Sequence, residues 1–151
     1  LINLAGSLPK YNFYIGGPIN NYEIFESDLP NVQIENFVYE KKDFIQKAKE
    51  NLIFIMPSVR ETFGLTMVEA MSQACIVISS DTKGAREFIV DGYNGYIVNS
   101  QKEVEEKLLE IGKMPVTELI SIITNSVETS RKYDSREIGK RLITLVGWIS
   151  S

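Results

Sequence analysis

Two glutamates that could do chemistry, Glu61 and Glu69, lie eight positions apart in the chain. If the segment between them were helical throughout, they would be about 12 Å apart along the axis, at about 1.5 Å per residue. Two carboxylates that act on one glycosidic bond lie about 5–9.5 Å apart. The spacing therefore disfavours joint action on one bond. It favours two groups that hold opposite ends of one long ligand.

The residues around these glutamates predict a strand, a polar turn and a helix. The run 51–56 is short, rich in branched and aromatic side chains, and followed by Pro57. These features indicate a buried strand. The helix is predicted to begin near Thr62, because a threonine hydroxyl at the N-cap can accept a hydrogen bond from a backbone N–H of the first turn.

The predicted start of this helix is a candidate anion site. The N–H groups of Phe63, Gly64 and Leu65 would have no partner within the helix. Such a helix end attracts anions, most often phosphate. Gly64 has no side chain to keep a ligand away from the backbone. The sequence thus predicts an anion at the helix tip, between Glu61 and Glu69.

Composition narrows the class of site. The 151 residues are enough for one domain with a buried core. The formal net charge of −4 argues against nucleic acid as a partner. The chain has no histidine, which excludes histidine-based triads and histidine metal ligands within it. Its single cysteine, Cys75, cannot form a disulfide or a cysteine zinc site within the chain, and we interpret it as a small core residue.

The chain carries no signal for a membrane or for secretion. No apolar run approaches the roughly 20 residues that span a bilayer. The first residues, 1–6, have no positive charge and do not form a signal peptide. We therefore expect no transmembrane segment and a cytoplasmic location. Because the chain begins with Leu1 and not with Met, we expect it to be part of a longer protein.

Strands and helices are predicted to alternate along the chain. Strands are predicted at 12–15, 31–38, 52–56, 76–79 and 95–98. Helices are predicted at 1–8, 20–29, 41–50, 84–90, 117–133 and 135–148, and two more are predicted to follow the 57–65 turn and Ser100. This alternation favours a parallel sheet with helices on both faces. Ligands of such sheets bind outside the carboxyl ends of the strands. The 57–65 turn lies at such an end. Ser100 and Glu103 have the spacing of a capping box.

The segment around the two glutamates resembles the signature of the family 4 (group 1) retaining glycosyltransferases. The residues that carry the resemblance are Pro57-Ser58, Glu61, Phe63-Gly64-Leu65 and Glu69-Ala70-Met71, with Gly84, Glu87 and 91–98 downstream and 13–17 upstream. The resemblance implies a Rossmann-like α/β fold with a parallel sheet. It assigns residues 1–151 to the C-terminal, nucleotide-sugar-binding half of a GT-B type glycosyltransferase.

The resemblance also implies roles for five residues. Glu61 would be catalytic and would hold hydroxyls of the donor sugar near the reacting carbon. Glu69 would bind the two ribose hydroxyls, since one carboxylate can accept both hydrogen bonds. Phe63 (through its backbone), Gly64 and Leu65 would bind the diphosphate. Neither a metal nor another cofactor is implied. Without the resemblance, Glu61 could simply be an acidic residue near a helix N-terminus, worth about 0.3–1 kcal/mol, and Glu69 could be a solvated surface residue.

The resemblance also implies a donor, an acceptor and a further domain of the same protein. A nucleotide-sugar donor would pass its sugar, with retention at the anomeric carbon, to a sugar, lipid or protein acceptor. A missing N-terminal domain of the same protein would bind the acceptor. In the family the donor half begins with a central strand and a turn that carries an Arg and a Lys for the diphosphate. The 151 residues do not include them, so we expect the isolated fragment to be inactive and prone to self-association. The alternative is a non-catalytic glycosyltransferase-like subunit that binds a partner protein or a glycan.

One departure from the family pattern concerns local geometry. The family usually has Gly and, two residues later, Pro, where this chain has Ala74 and Ile76. A glycine there would close the preceding helix in a left-handed conformation. Ala74 therefore predicts a strained turn or a different one. We interpret the downstream segment 91–95 as a turn and not as a site, because its residue types favour turns.

Overall fold

The computed structural model describes residues 2–17, 27–36, 40–57 and 64–133. In chain order its elements are α1 (Ile2–Ser7), β1 (Phe13–Gly17), β2 (Val32–Asn36), α2 (Lys41–Lys49), β3 (Ile53–Met56), α3 (Leu65–Ser72), β4 (Ile76–Ser80), α4 (Lys83–Phe88), β5 (Tyr96–Val98), α5 (Gln101–Ile111) and α6 (Val116–Lys132). They form two compact units, one up to Phe44 and one from Ile45 onward. The helices predicted at 20–29 and 135–148 lie largely or wholly outside the described residues.

The first unit is built around a parallel pair of strands. β1 and β2 pair in register from Phe13 with Val32 to Gly17 with Asn36. Gly16 and Gly17 therefore belong to the strand, and the predicted strand end before Gly16 is wrong. Asn31 holds the end of α1 and the segment that leads to β1. Its Nδ2 donates hydrogen bonds to the backbone carbonyls of Ala5, Leu8 and Tyr11.

The second unit contains a parallel three-stranded sheet in the order β3–β4–β5. α3 connects β3 to β4, and α4 connects β4 to β5. The central strand β4 has no exposed apolar side chain, since Ile76, Val77 and Ile78 are all fully buried. Such a continuous apolar run is typical of a strand covered on both faces. α6 packs against α3 and β4.

α5 begins with the predicted capping box. Ser100 is its N-cap, and the Ser100 hydroxyl accepts a hydrogen bond from the Glu103 N–H at 3.2 Å. The Glu103 carboxylate reaches back to the Asn99 N–H at 2.9 Å. The hydrogen bond from the Asn99 N–H lowers the pKa of Glu103. The hydrogen bond that the Ser100 hydroxyl donates to the Glu103 carboxylate lowers it further. The apolar face of α5 is buried at Val104, Leu108 and Ile111.

α3 ends in a Schellman motif that has alanine in the glycine position. Gln73 is the C-cap, and Ala74 follows with φ of 66°, in the left-handed region. The Cys75 N–H bonds to the Ala70 carbonyl at 3.2 Å, and the Ala74 N–H bonds to the Met71 carbonyl at 3.1 Å. These are the 6→1 and 5→2 bonds of that motif. Of the two predicted alternatives, a strained turn or a different one, the structure shows the strained turn, because the helix keeps this ending without the glycine that usually permits it.

The segment 91–95 is a turn fixed by a buried side chain. Asn94 is buried, its Oδ1 accepts a hydrogen bond from the Val90 N–H at 2.8 Å, and its Nδ2 donates to the Phe88 carbonyl and to Thr129 Oγ1, both at 2.9 Å. The positive φ lies at Gly92 (73°). The interpretation as turn chemistry is confirmed. Asn94 itself acts through its side chain, which ties the end of α4 to α6.

Cys75 is the small core residue that the sequence predicted. Its side chain is fully buried, and its Sγ lies 3.3 Å from the carbonyl oxygens of Ala48 and Asn51. Burial raises the pKa of the thiol to about 11. The neutral thiol is therefore the form present at neutral pH, and it is a poor nucleophile.

Candidate functional site

The candidate site lies where β3 leads into α3. Met56 at the end of β3 pairs with Ser79 near the end of β4, so the carboxyl ends of two parallel strands share one edge of the sheet. Residues 58–63 lie outside the described residues, and with them two predicted site residues, Glu61 and Phe63. The description resumes at Gly64, which is buried.

Gly64 is the N-cap of α3, and the predicted N-cap Thr62 is wrong. The helix begins at Leu65, and Gly64 precedes it with φ of 55° and ψ of 28°. Within the described residues no side chain caps this helix. The Met67 N–H bonds to the Gly64 carbonyl at 2.9 Å. The opening N–H groups of the helix are therefore those of Leu65 and Thr66, one or two residues later than predicted.

α3 presents Leu65 and Glu69 on its outer side. Met67 and Met71 on the opposite side are fully buried, whereas Leu65 is 64% exposed and Glu69 is half-buried. Residues at positions i and i+4 lie one above the other on a helix face. Glu69 is thus about one turn, roughly 6 Å along the axis, from the first residue of the helix. The structure brings Gly64, Leu65 and Glu69 together, and a ligand at the helix tip could reach the Glu69 carboxylate.

The segment after β4 adds charged and polar groups at the same edge of the sheet. Thr82 is the N-cap of α4, and its hydroxyl accepts a hydrogen bond from the Ala85 N–H at 3.1 Å. Arg86 forms a bidentate pair with Asp81, at 2.5 and 2.6 Å. The hydrogen bonds from Arg86 lower the pKa of Asp81. Sequence reasoning missed this pair, although its i, i+5 spacing across a helix N-cap could have suggested it. Lys83 is exposed at the start of α4.

The described ranges contain neither a candidate metal cluster nor a membrane-spanning helix. No group of three or more His, Cys, Asp or Glu residues in them could hold a metal ion. None of the helices in that part of the chain is long and apolar enough to cross a membrane.

Comparison with known proteins identifies the family. The model of the family described as "Glycosyl transferases group 1" matches residues 10–125. The chain belongs to this family. The match includes β1, the whole β3–α3 turn and most of α6, so the site described above lies entirely within it.

A known glycosyltransferase is similar over nearly the whole chain. A curated relative, the UDP-N-acetylglucosamine--peptide N-acetylglucosaminyltransferase GtfA subunit of Streptococcus pneumoniae, is 28% identical over 95% of this chain and 29% of its own length. The chain thus spans less than a third of that relative.

Solved structures show the same fold. The C-terminal domain of a group 1 family protein (LpcC) from Francisella tularensis is 26% identical, with a TM-score of 0.62 over 72% of this chain and 56% of that chain. Anabaena HepE in complex with UDP-glucose has a TM-score of 0.77 at 19% identity, over 97% of this chain and 44% of that chain. The predicted fold class is confirmed: this is a Rossmann-like parallel α/β fold that matches the C-terminal half of GT-B type glycosyltransferases.

Proposed function

We propose that residues 1–151 are the donor-binding half of a retaining glycosyltransferase. The enzyme transfers a sugar from a nucleotide-diphospho-sugar to a hydroxyl of a sugar, lipid or protein acceptor. The family is already established, and one observation carries the proposal. Leu65 and Glu69 lie one turn apart on the outer side of α3, and the N-terminus of α3 lies at the carboxyl edge of the sheet. Ligands of parallel α/β sheets bind at that edge.

The proposal assigns each site residue one part of the donor. The first turn of α3, with Gly64 and Leu65 and the backbone of Phe63, faces the diphosphate and stabilises the negative charge that develops on the leaving group. Glu69 accepts hydrogen bonds from both ribose hydroxyls. Glu61 holds the donor sugar at the reacting carbon. The names of relatives support this class of donor, since GtfA is named for UDP-N-acetylglucosamine and the HepE complex contains UDP-glucose.

The acceptor is proposed to bind to a part of the protein outside this chain. The chain covers 29% of the GtfA subunit and 44% of the HepE chain. A cleft between this half and an N-terminal acceptor domain would then exclude water from the transferred sugar. We further propose that the protein works in the cytoplasm, where nucleotide sugars would be available to it.

Calorimetry on a Glu69→Ala variant of the full-length protein tests the proposal. Removing the carboxylate leaves two ribose hydroxyls unpaired, which should weaken binding of a nucleoside diphosphate by about 1–3 kcal/mol. UDP and GDP are both titrated, because the two bases cover different donors. The matched control is Glu128→Ala, which removes an exposed carboxylate from α6. Equal affinities of Glu69→Ala and the wild-type protein would make Glu69 a solvated surface residue and refute its role.

A further inference from the structure

The ion pair of Asp81 and Arg86 is attached to regular secondary structure at the carboxyl edge of the β3–β4–β5 sheet. Asp81 is the first residue after β4, and its N–H bonds to the Val98 carbonyl at the end of β5, at 3.1 Å. Arg86 lies on α4, whose N-cap Thr82 bonds to the Ala85 N–H through its buried side chain. Two hydrogen bonds, from Nε and Nη2 of Arg86, join the two residues across this N-cap. The guanidinium is therefore held at the edge of the sheet.

The pair leaves one edge of the guanidinium free. A guanidinium has five N–H donors in a rigid fork. Asp81 occupies the edge formed by Nε and Nη2, and within the described ranges no other residue accepts a hydrogen bond from Arg86. The Arg86 side chain is 69% exposed, whereas that of Asp81 is 27% exposed. The edge formed by Nη1 and Nη2 thus faces solvent, and this edge can bond a phosphate or a carboxylate through two parallel hydrogen bonds.

Stability does not account for this pair. Exposed ion pairs contribute little to stability, because water screens the charges and because holding two long side chains costs entropy. An arginine that is already held in place, however, loses less entropy when it binds a ligand. Net charge alone would not attract an anion here, since Asp81 offsets Arg86, and Lys83 and Glu87 are exposed on α4 with opposite charges. Binding would depend on the orientation of the fork.

We propose that Arg86 is an oxyanion-binding residue held in position by Asp81, and that the free edge of its guanidinium binds a phosphate or carboxylate group of a substrate. Ligands of parallel α/β sheets bind at this edge. The inference goes beyond the proposed function, which assigns no role to the pair. It rests on that function only for the identity of the substrate, because inorganic phosphate can probe the site directly. The oxyanion belongs either to the nucleotide or to a separate substrate, and the test distinguishes these sources.

The test titrates the full-length protein with UDP, with inorganic phosphate, and with inorganic phosphate after saturation with UDP. Calorimetry and ligand-observed NMR give the dissociation constants. Arg86→Gln removes the charge and the fork, and Arg86→Lys removes only the fork. Asp81→Asn decides between two readings: if charge alone mattered, loss of a carboxylate would strengthen anion binding, but if Asp81 orients Arg86, binding weakens.

The matched controls come from a second exposed ion pair, Lys102 with Glu106 on α5. Lys102→Gln and Glu106→Gln make the same changes of charge away from the edge of the sheet. Because all four positions are exposed, we expect every variant to fold, and circular dichroism checks this.

We expect Arg86→Gln to weaken oxyanion binding about tenfold and Asp81→Asn to weaken it about threefold, because a charge-assisted fork is lost in the first and loosened in the second. Arg86→Lys should resemble Arg86→Gln more than the wild type, and each control should change affinity less than twofold. A loss in the UDP titration assigns the oxyanion to the nucleotide, and a loss confined to phosphate in the UDP-saturated protein assigns it to a separate substrate.

Two results would overturn the inference. One is an Arg86→Gln variant that weakens none of the three titrations more than Lys102→Gln does. The other is an Asp81→Asn variant that binds the oxyanion as tightly as the wild type or more tightly. Failure of the wild-type protein to bind UDP, with phosphate binding that still depends on Arg86, would refute the proposed function and leave this inference standing.

Discussion

Ala74→Gly should stabilise the protein, because Ala74 occupies the left-handed position of a Schellman motif. Its φ is 66°, and its side chain is exposed, so the substitution removes no buried contact. A left-handed conformation costs an L-residue about 1–2 kcal/mol. Glycine avoids that cost but adds about 0.4–1 kcal/mol of conformational entropy to the unfolded chain. The difference predicts a gain of about 0.5–1 kcal/mol in the free energy of unfolding.

Urea denaturation followed by circular dichroism measures this gain, provided that the m-value stays constant. The chain offers a mirror-image control in Gly92, which has φ of 73° and no atom within 4 Å of a built Cβ. Gly92→Ala introduces the same backbone strain without a steric clash, and should destabilise the protein by a similar amount. If Ala74→Gly lowers stability while Gly92→Ala also does, the reasoning about the left-handed turn at Ala74 is refuted.

Three further predictions concern catalysis, the buried amide and the thiol. Glu61→Gln should greatly reduce turnover in a donor-consumption assay with little change in diphosphate affinity; wild-type turnover would favour the non-catalytic alternative. Asn94→Ala should lower the free energy of unfolding by about 2–4 kcal/mol, because it leaves buried polar partners unpaired; chemical denaturation that shows a loss below 1 kcal/mol would contradict this. Burial raises the pKa of Cys75 from 9.0 to about 11, so its stabilising contribution is complete below pH 9.0 and is lost as the pH rises towards 11. Alkylation by iodoacetamide at pH 8 should accordingly be slow until the chain is unfolded, and rapid modification of the native protein would show that the thiol is accessible.

Elements that depend on local pattern could be predicted from the sequence. The strand at β4 is a short, continuous apolar run, and α5 carries both its capping box and its apolar face in neighbouring residues. The glycosyltransferase signature is equally local, because a strand end, a turn and two helical turns contain it. The strain at Ala74 could also be anticipated, since helix endings use a small set of hydrogen bonds that favour glycine at one position.

What the sequence could not predict depends on contacts between distant residues. Thr62 is the better N-cap by residue type, yet the helix begins after the buried Gly64, where an added Cβ atom would lie 3.5 Å from the ring of Phe88, 24 positions further along the chain. The hydrogen bond from Asn94 to Thr129 joins residues 35 positions apart. Propensity and periodicity describe only neighbours within a turn or two. The tertiary structure decided where α3 begins, because the helix buries Met67 and Met71 and packs against α6, which lies far along the chain, in a close-packed interior.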